Sequence, residues 1–134
     1  MLVVDTSVWI DFFNGHRSAE SEYLAACLAD DVPVIVPGIV LAEILAGLRT
    51  EAEAARIESL LAALDWAPEP SPDDYRAAAA IYRSCRRAGR SVGAIVDCLI
   101  AQICLRNGYV LLTRDRDYVR IAASTGLRLA TRDG

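Results

Sequence analysis

The sequence predicts an α/β fold in which helices surround a mostly parallel β-sheet. Short apolar runs rich in β-branched residues alternate along the chain with longer segments that have helical periodicity. A helix between consecutive strands is the connection that parallel strands require. The chain has 134 residues, of which 54% are hydrophobic, so it is long enough to bury a core of its own. We therefore expect a single domain over residues 1–134.

Each element follows from a local signal, taken in order along the chain. An apolar strand at residues 1–4 is followed by the letters DTS, whose side chains can cap a helix. Pro37 opens a later helix, and Thr50 with Glu53 matches a capping box at the start of another. The predicted helices are 8–13, 18–29, 38–48, 50–64, 73–87, 92–106 and 115–124, and the predicted strands are 1–4, 32–36, 64–67, 109–112 and 127–130.

The composition excludes several kinds of catalytic site. All fourteen basic residues are arginine, and without lysine the chain can form neither a Walker-type phosphate loop nor a Schiff base. The single histidine, His16, follows Gly15 in a predicted turn, which argues against catalysis by a serine or cysteine paired with histidine. The polar residues left for chemistry are the carboxylates.

The cysteines and the N-terminal residues indicate the cellular compartment. The four cysteines lack C-x-x-C spacing and lie in predicted helices, which indicates buried free thiols in a reducing compartment. No apolar run reaches the roughly 20 residues that span a membrane. The N-terminus lacks a basic region and carries Asp5 and Asp11 within its apolar run, unlike a secretory signal. These features predict a cytoplasmic protein without a membrane partner.

Two predicted helices each carry a single acid among small and apolar residues. Glu43 lies within GIVLAEILAGL, and Asp97 lies within GAIVDCLIAQICL. The residues three and four positions from each acid, which are its neighbours on a helix, are all apolar, alanine or glycine. A carboxylate buried without a partner costs free energy, so both acids require an explanation.

Asp5 and Asp115 each follow an apolar strand, and the carboxyl ends of parallel strands form the functional edge of such sheets. We hypothesise that these two acids meet Glu43 and Asp97 in one site. Clustered carboxylates repel one another unless a cation joins them. A hard divalent ion such as Mg²⁺ or Mn²⁺ prefers oxygen ligands, whereas zinc would call for histidine or cysteine.

Simpler interpretations remain open for each acid. Asp5 and Asp115 could cap the helices that follow them, and Glu43 could pair with an arginine distant in sequence. Asp97 and Asp117 could be stabilised by the dipoles at the starts of their helices. The other acids in polar surroundings are interpreted as solvent-exposed: Asp11, Asp30, Asp31, Glu51, Glu53, Glu58, Asp73 and Asp74.

Four segments together resemble the PIN-domain ribonucleases, and more specifically the VapC toxins of bacterial toxin–antitoxin pairs. They are DTSVWI after the first strand, an A-E-I-L-x-G helix, an I-V-D-C-L-I-A helix and a closing L-T-R-D-R-D-Y. The resemblance extends from residue 2 to about residue 129 in the order and spacing of the family. It implies a PIN-like three-layer sandwich with a central, mostly parallel sheet flanked by helices.

The resemblance also implies roles for individual residues. Asp5, Glu43, Asp97 and Asp115 match the catalytic acids that bind one or two Mg²⁺ or Mn²⁺ ions, and Asp117 matches a less constant acidic position. Supporting hydroxyls are expected from Thr6, Ser7 and Thr113, which flank these acids and could also cap helices. The implied reaction is metal-dependent hydrolysis of RNA, commonly tRNA or ribosomal RNA. The implied partners are a VapB-type antitoxin and a second copy of the chain.

The net charge of −4 and the pI near 4.9 do not indicate a nucleic-acid-binding protein as a whole. Local arginine clusters could still bind phosphates. We expect RNA contacts from Arg83, Arg86 and Arg87, which share one helix face with Arg90, and from Arg114 and Arg116 near Asp115, with Arg120 beside them. These arginines could instead form a solvated helix end or face acids of the antitoxin.

Three alternatives to a VapC-type toxin stay open from the sequence. The chain could be a PIN-like nuclease outside any toxin pair, or a catalytically idle module whose acids hold a structural ion. A receiver-like signalling domain also clusters acids at strand ends, but that family relies on a lysine, which this chain lacks.

Overall fold

The computed structural model describes residues 1–130, and every structural statement below refers to that part of the chain. Strands and helices alternate along it as the sequence predicts. The strands are β1 (Leu2–Val4), β2 (Val34–Val36), β3 (Asp65–Trp66) and β4 (Val110–Leu112), and the helices are α1 (Thr6–Phe13), α2 (Ala19–Ala29), α3 (Gly38–Ala46), α4 (Glu51–Leu61), α5 (Pro72–Arg87), α6 (Ile95–Asn107) and α7 (Asp117–Ser124).

The four strands form one sheet in the order β3-β2-β1-β4, and every neighbouring pair is parallel. Leu2 of β1 aligns with Val34 on one side and with Val110 on the other. The chain therefore adds β2 and β3 on one side of β1 and β4 on the other, so the strand order reverses between β1 and β4. In open α/β sheets the ligand crevice forms at this point, beyond the carboxyl ends of the strands. The predicted α/β fold, with a central parallel sheet flanked by helices, is confirmed.

The core is built on the inner strands. β1 and β2 are buried at every position, as expected for parallel strands covered on both faces. The edge strand β3 is exposed. The fully buried side chains Val8, Leu24, Ile44, Ile100 and Ile121 come from five different helices, so helix packing fixes the positions of the loops at the sheet edge.

Several boundaries differ from the prediction by two or three residues, such as the end of α4 at Leu61 instead of residue 64, and two differences lie near the sheet edge. The strand predicted at 127–130 is reduced to a single parallel bridge between Leu111 and Leu129. The helix predicted from residue 92 begins only at Ile95, because Ala94 is extended, with φ −141° and ψ 135°. The cap expected at Thr50 is present in part, since its side chain accepts a hydrogen bond from the backbone of Glu53, and α6 ends at Asn107, before a left-handed Gly108.

Two acids that we interpreted as solvent-exposed are buried. Asp11 pairs with Arg114, with 2.8 Å between the guanidinium Nε and Oδ2. Asp74 pairs with Arg106 at 2.6 Å and also accepts hydrogen bonds from the backbone of Ser71 and from Gln102. The interpretation was wrong because both partner arginines lie far away in sequence.

The cysteines agree with the sequence analysis, since all four are buried and free. No helix within residues 1–130 combines the length and the apolar character that crossing a membrane requires.

Candidate metal centre

The candidate centre lies where β1 and β4 end beside each other. Asp5 directly follows β1, and its backbone N–H donates to the carbonyl of Leu112, the last residue of β4, at 2.9 Å. Asp115 lies three residues further along the chain. Parallel pairing of the two strands therefore brings both acids to the same sheet edge, as the sequence predicts.

The Asp5 carboxylate is buried, with an exposed fraction of 6%. Asp5 occupies the N-cap position of α1, but its side chain makes no capping hydrogen bond. Its Oδ2 instead accepts hydrogen bonds from the hydroxyls of Ser7, at 2.8 Å, and Thr113, at 3.0 Å. Burial, and to a smaller extent the charge of Asp115, raises the pKa of Asp5 above its usual value, while the two hydroxyls act in the opposite direction.

Tyr118 connects Asp5 with Asp97. Its hydroxyl lies 3.2 Å from Oδ1 of Asp97 and 3.5 Å from Oδ1 of Asp5, and the side chain is fully buried. Burial raises the pKa of Tyr118 far above its usual range, and the charges of Asp5, Asp97 and Glu43 add to the effect. The phenol therefore stays protonated and acts as a neutral donor between carboxylates. No role for Tyr118 was predicted from the sequence, although this residue ends the L-T-R-D-R-D-Y segment.

Asp97 lies in the first turn of α6 and is partly buried. Burial raises its pKa to about 6, and the charges of Asp115, Asp5 and Asp117 contribute in the same direction. Because α6 starts later than predicted, Asp97 also lies close to the helix N-terminus, where the dipole favours a negative charge. Asp97 therefore has the position that the simpler interpretation requires, but its pKa is raised all the same.

Asp97 comes together with Asp115 and Asp117, since one carboxylate oxygen from each lies within 4.8 Å of the other two. Oδ1 of Asp115 accepts a hydrogen bond from the backbone N–H of Asp117 at 2.9 Å, so Asp115 does stabilise the start of α7. Asp117 is more heavily engaged, because its oxygens also accept from the backbone of Gly93, at 3.0 Å, and pair with Arg120.

Glu43 does not have the environment that we expected from the sequence. We expected a buried carboxylate, but the Glu43 side chain is exposed, so no bound ion is needed to explain a charged residue on α3. Its partner is not an arginine but the hydroxyl of Thr6, which donates to Oε1 at 2.9 Å. Thr6 directly follows Asp5, and Glu43 therefore faces the centre from the α3 side without belonging to the group of three aspartates.

The predicted RNA-binding arginines divide into two sets. Arg83, Arg86 and Arg87 are exposed on α5, and the guanidinium of Arg86 lies 5.8 Å from the ring of Tyr82. In the second set, which flanks Asp115 in the sequence, Arg114 pairs with Asp11 and Arg116 is exposed. Arg90 and Arg120 are also exposed.

The donor set of this centre suits a hard divalent cation. Its side chains offer carboxylate and hydroxyl oxygens, which are the ligands that Mg²⁺ and Mn²⁺ prefer. Burial, followed by the charges of Asp115 and Asp5, raises the pKa of Asp97, and a bound cation would offset both effects by stabilising the ionised carboxylate. Asp5, Asp97 and Asp115 fit such an ion well, whereas Asp117 fits less well because a guanidinium already balances its charge.

Comparisons with known proteins identify the family. The family model described as PIN domain matches residues 2–124. The chain is 35% identical over 132 residues to VapC ribonuclease Mb1587 of Mycobacterium bovis and to Ribonuclease VapC11 of Mycobacterium tuberculosis, with 98% of each chain covered. A crystal structure of VapBC2 from Rickettsia felis, bound to a DNA fragment from their promoter, shares the fold with a TM-score of 0.75 at 19% identity, covering 96% of both chains. The chain therefore belongs to the PIN-domain family and, within it, to the VapC ribonucleases.

Proposed function

We propose that this protein is the toxin of a type II toxin–antitoxin pair and acts as a metal-dependent endoribonuclease. The observation that carries the proposal is the convergence of Asp97, Asp115 and Asp117 within 4.8 Å, beside the buried Asp5, in a chain of the VapC family. Hydrolysis of tRNA or ribosomal RNA would then stop translation and inhibit growth.

The ion would be Mg²⁺, with Mn²⁺ as an alternative, because both accept all-oxygen ligand sets. Asp5, Glu43, Asp97 and Asp115 are the proposed catalytic acids, and Asp117 is a further ligand of lower rank. When bound, such an ion supplies an activated water and stabilises the leaving oxygen of the phosphodiester.

The surrounding hydroxyls orient the carboxylates. Ser7 and Thr113 both donate to Oδ2 of Asp5, which leaves Oδ1 turned toward Tyr118 and Asp97. Thr6 similarly holds Oε1 of Glu43, leaving Oε2 available as a ligand. Fixed rotamers of this kind favour binding, because less conformational freedom is lost when a ligand arrives.

We propose that two sets of arginines bind the RNA backbone. Arg83, Arg86 and Arg87 would contact phosphates from α5, while Arg114 and Arg116 would contact them beside Asp115. Arginine suits this role because it grips phosphate with two hydrogen bonds and stacks on unpaired bases. Local stripes of positive charge can bind RNA even though the whole chain is acidic.

The proposed partners are a VapB-type antitoxin, the RNA substrate and a second copy of the chain, in the cytoplasm. Support for the antitoxin comes from membership of the VapC family. A small open reading frame that lies immediately upstream and encodes a DNA-binding protein would favour a toxin over a stand-alone nuclease.

Cleavage of RNA by the purified chain tests the enzyme activity directly. We expect wild-type protein to cut RNA in Mg²⁺ or Mn²⁺, and Asp5→Asn and Asp97→Asn to lose the activity. Asp73→Asn is a matched control, because that carboxylate is 89% exposed, pairs with Arg76 on α5 and does not belong to the acidic cluster. Equal cleavage by the wild type and all three variants would reject the assigned site.

Removal of the metal tests the mechanism separately. Cleavage that survives exhaustive EDTA treatment would contradict the metal requirement even if the aspartates proved essential. A chain that binds Mn²⁺ but cuts no RNA would instead support the idle interaction module.

A further inference from the structure

A cleft of about 390 Å³ opens directly beside the metal centre, between α2, the end of β4 and α7. Thr113 and Asp115 belong both to its wall and to the centre. The rest of the wall is largely apolar, with Tyr23 on α2, Val119 on α7 and Leu129. An occupant of this cleft would therefore contact the proposed catalytic acids at one end and a half-buried aromatic ring elsewhere.

Two arginines join the tyrosine in the wall. Arg114 is fixed by the buried Asp11, which accepts from Nε at 2.8 Å and from a terminal nitrogen at 3.2 Å, yet 47% of the arginine side chain stays exposed. Asp11 is held in turn by the hydroxyl of Ser18 at 3.3 Å. Arg116 is exposed in the same wall. The Asp11 pair thus presents a preorganised guanidinium rather than a mobile one.

We infer that this cleft binds an unpaired nucleobase of the RNA, next to the phosphate that is cut. This inference rests on the proposed function and adds a subsite to it. An aromatic ring together with guanidinium groups is the surface on which proteins stack single-stranded bases. A base and its phosphate belong to one nucleotide, so a base in the cleft would bring its phosphate beside Asp115.

Charge favours RNA over an apolar peptide segment as the occupant. The two arginines lie on either side of Asp115 in the sequence and line the same cleft, so they can contact phosphates of a bound nucleotide. Glu20 also lines the cleft, and its carboxylate can accept a hydrogen bond from the exocyclic amino group of a base. The cleft thus combines a stacking surface with polar groups that suit a nucleotide.

The experiment combines changes in the protein with changes in the RNA. Tyr23→Leu keeps the apolar bulk but removes the ring, and Tyr23→Phe keeps the ring. We expect Tyr23→Leu to lower kcat/KM on single-stranded RNA about tenfold, the usual size of one base–aromatic stack, and Tyr23→Phe to retain it. The loss should disappear on an oligoribonucleotide that lacks the base at the position of the stack, because the two deletions remove the same interaction.

A binding measurement separates this inference from the proposed function. In an Asp97→Asn background, single-stranded oligoribonucleotides carrying 2-aminopurine should show fluorescence quenching that Tyr23→Leu abolishes and Tyr23→Phe preserves. Tyr75→Leu is the control, because Tyr75 is 54% exposed on α5 outside this cleft. It should change neither quenching nor cleavage.

Each outcome has a definite meaning. Cleavage by the wild type with no dependence on Tyr23, in rate or in quenching, overturns the subsite and leaves the nuclease standing. Quenching that depends on Tyr23 without any cleavage supports an RNA-binding cleft and overturns the proposed function. If Tyr23→Leu weakens only the binding of a protein partner, the cleft is a protein-docking site and the inference is wrong.

Discussion

Asp97→Asn should stabilise the metal-free protein while it removes a metal ligand. Burial and neighbouring charges raise the pKa of Asp97 from 3.8 to about 6. Each pKa unit corresponds to about 1.36 kcal/mol, so the ionised carboxylate lowers the free energy of unfolding at neutral pH by at most about 3 kcal/mol, and by less to the extent that solvent screens this half-buried group. Asparagine has nearly the same shape, carries no charge and can still accept the hydrogen bond from Tyr118.

The effect should depend on pH in a defined direction. Between about pH 4 and pH 6 the folded wild type still holds a proton on Asp97 that the unfolded chain has released, so wild-type stability falls as the pH rises. Asp97→Asn lacks this dependence. The two proteins should therefore differ little at pH 4 and differ by the full amount above about pH 7.

Urea unfolding of metal-free protein at pH 4 and at pH 7.5 measures the effect. At pH 7.5 the variant should have the higher midpoint, and its melting temperature should rise by up to roughly 10 °C. Added Mn²⁺ should reverse the order once its concentration reaches about a thousand times its Kd, because the ion then stabilises the wild type by about 4.1 kcal/mol and the variant far less.

The outcome that refutes this reasoning is a metal-free variant no more stable than the wild type at pH 7.5, with an unchanged circular dichroism spectrum. Asp73→Asn serves as the control, because the Asp73 side chain is 89% exposed and its surface pair with an arginine is worth at most about 1 kcal/mol. It should unfold close to the wild type in both conditions.

Three further predictions concern groups around the centre and in the core. Tyr118→Phe removes the hydroxyl that lies between the carboxylates of Asp5 and Asp97. It should lower the free energy of unfolding of the metal-free protein in urea by about 2 kcal/mol, and unchanged stability would contradict that role. Asp11→Asn should lower the free energy of unfolding by a similar amount. It should also weaken Mn²⁺ binding in titrations, since its partner Arg114 directly precedes Asp115; unaltered affinity would show that the ion pair does not position Asp115. Hydrogen bonding to the Ser71 backbone, with help from Arg106, lowers the pKa of Asp74 to about 2, so Asp74→Asn should be less stable than the wild type above pH 4 and converge with it near pH 2 in acid-unfolding curves.

The sequence predicted the elements well wherever apolar runs and capping residues act locally. The strands β1, β2 and β4 and the order of the helices follow from such runs. The prediction failed where contacts distant in sequence decide. Gly93 donates to Asp117, 24 residues away, and Ala94 is extended, so α6 starts late. The last predicted strand makes only one bridge, with Leu111.

The sequence indicated which acids to consider for the candidate site, but it did not predict which of them are buried or paired with arginine. The apolar context of Asp97 did indicate an electrostatically unfavourable carboxylate. The same argument reached Glu43 for a wrong reason, since Glu43 is exposed. Asp11 shows the opposite failure, because it was interpreted as solvent-exposed although it forms a buried ion pair with an arginine that lies 103 residues away.

The type of partner separates the buried and half-buried acids into two classes. Asp11 and Asp74 each meet a guanidinium, so their charges are balanced within the described fold and they need no ion. Asp5 and Asp97 meet only hydroxyl donors among the side chains described, which orient a carboxylate without cancelling its charge. Neutral partners therefore leave a net negative centre at the sheet edge, and a carboxylate cluster of that kind gains most from a divalent cation. Asp117 lies between the two classes, because Arg120 already offsets its charge, and this is the physical reason to rank it below the other ligands.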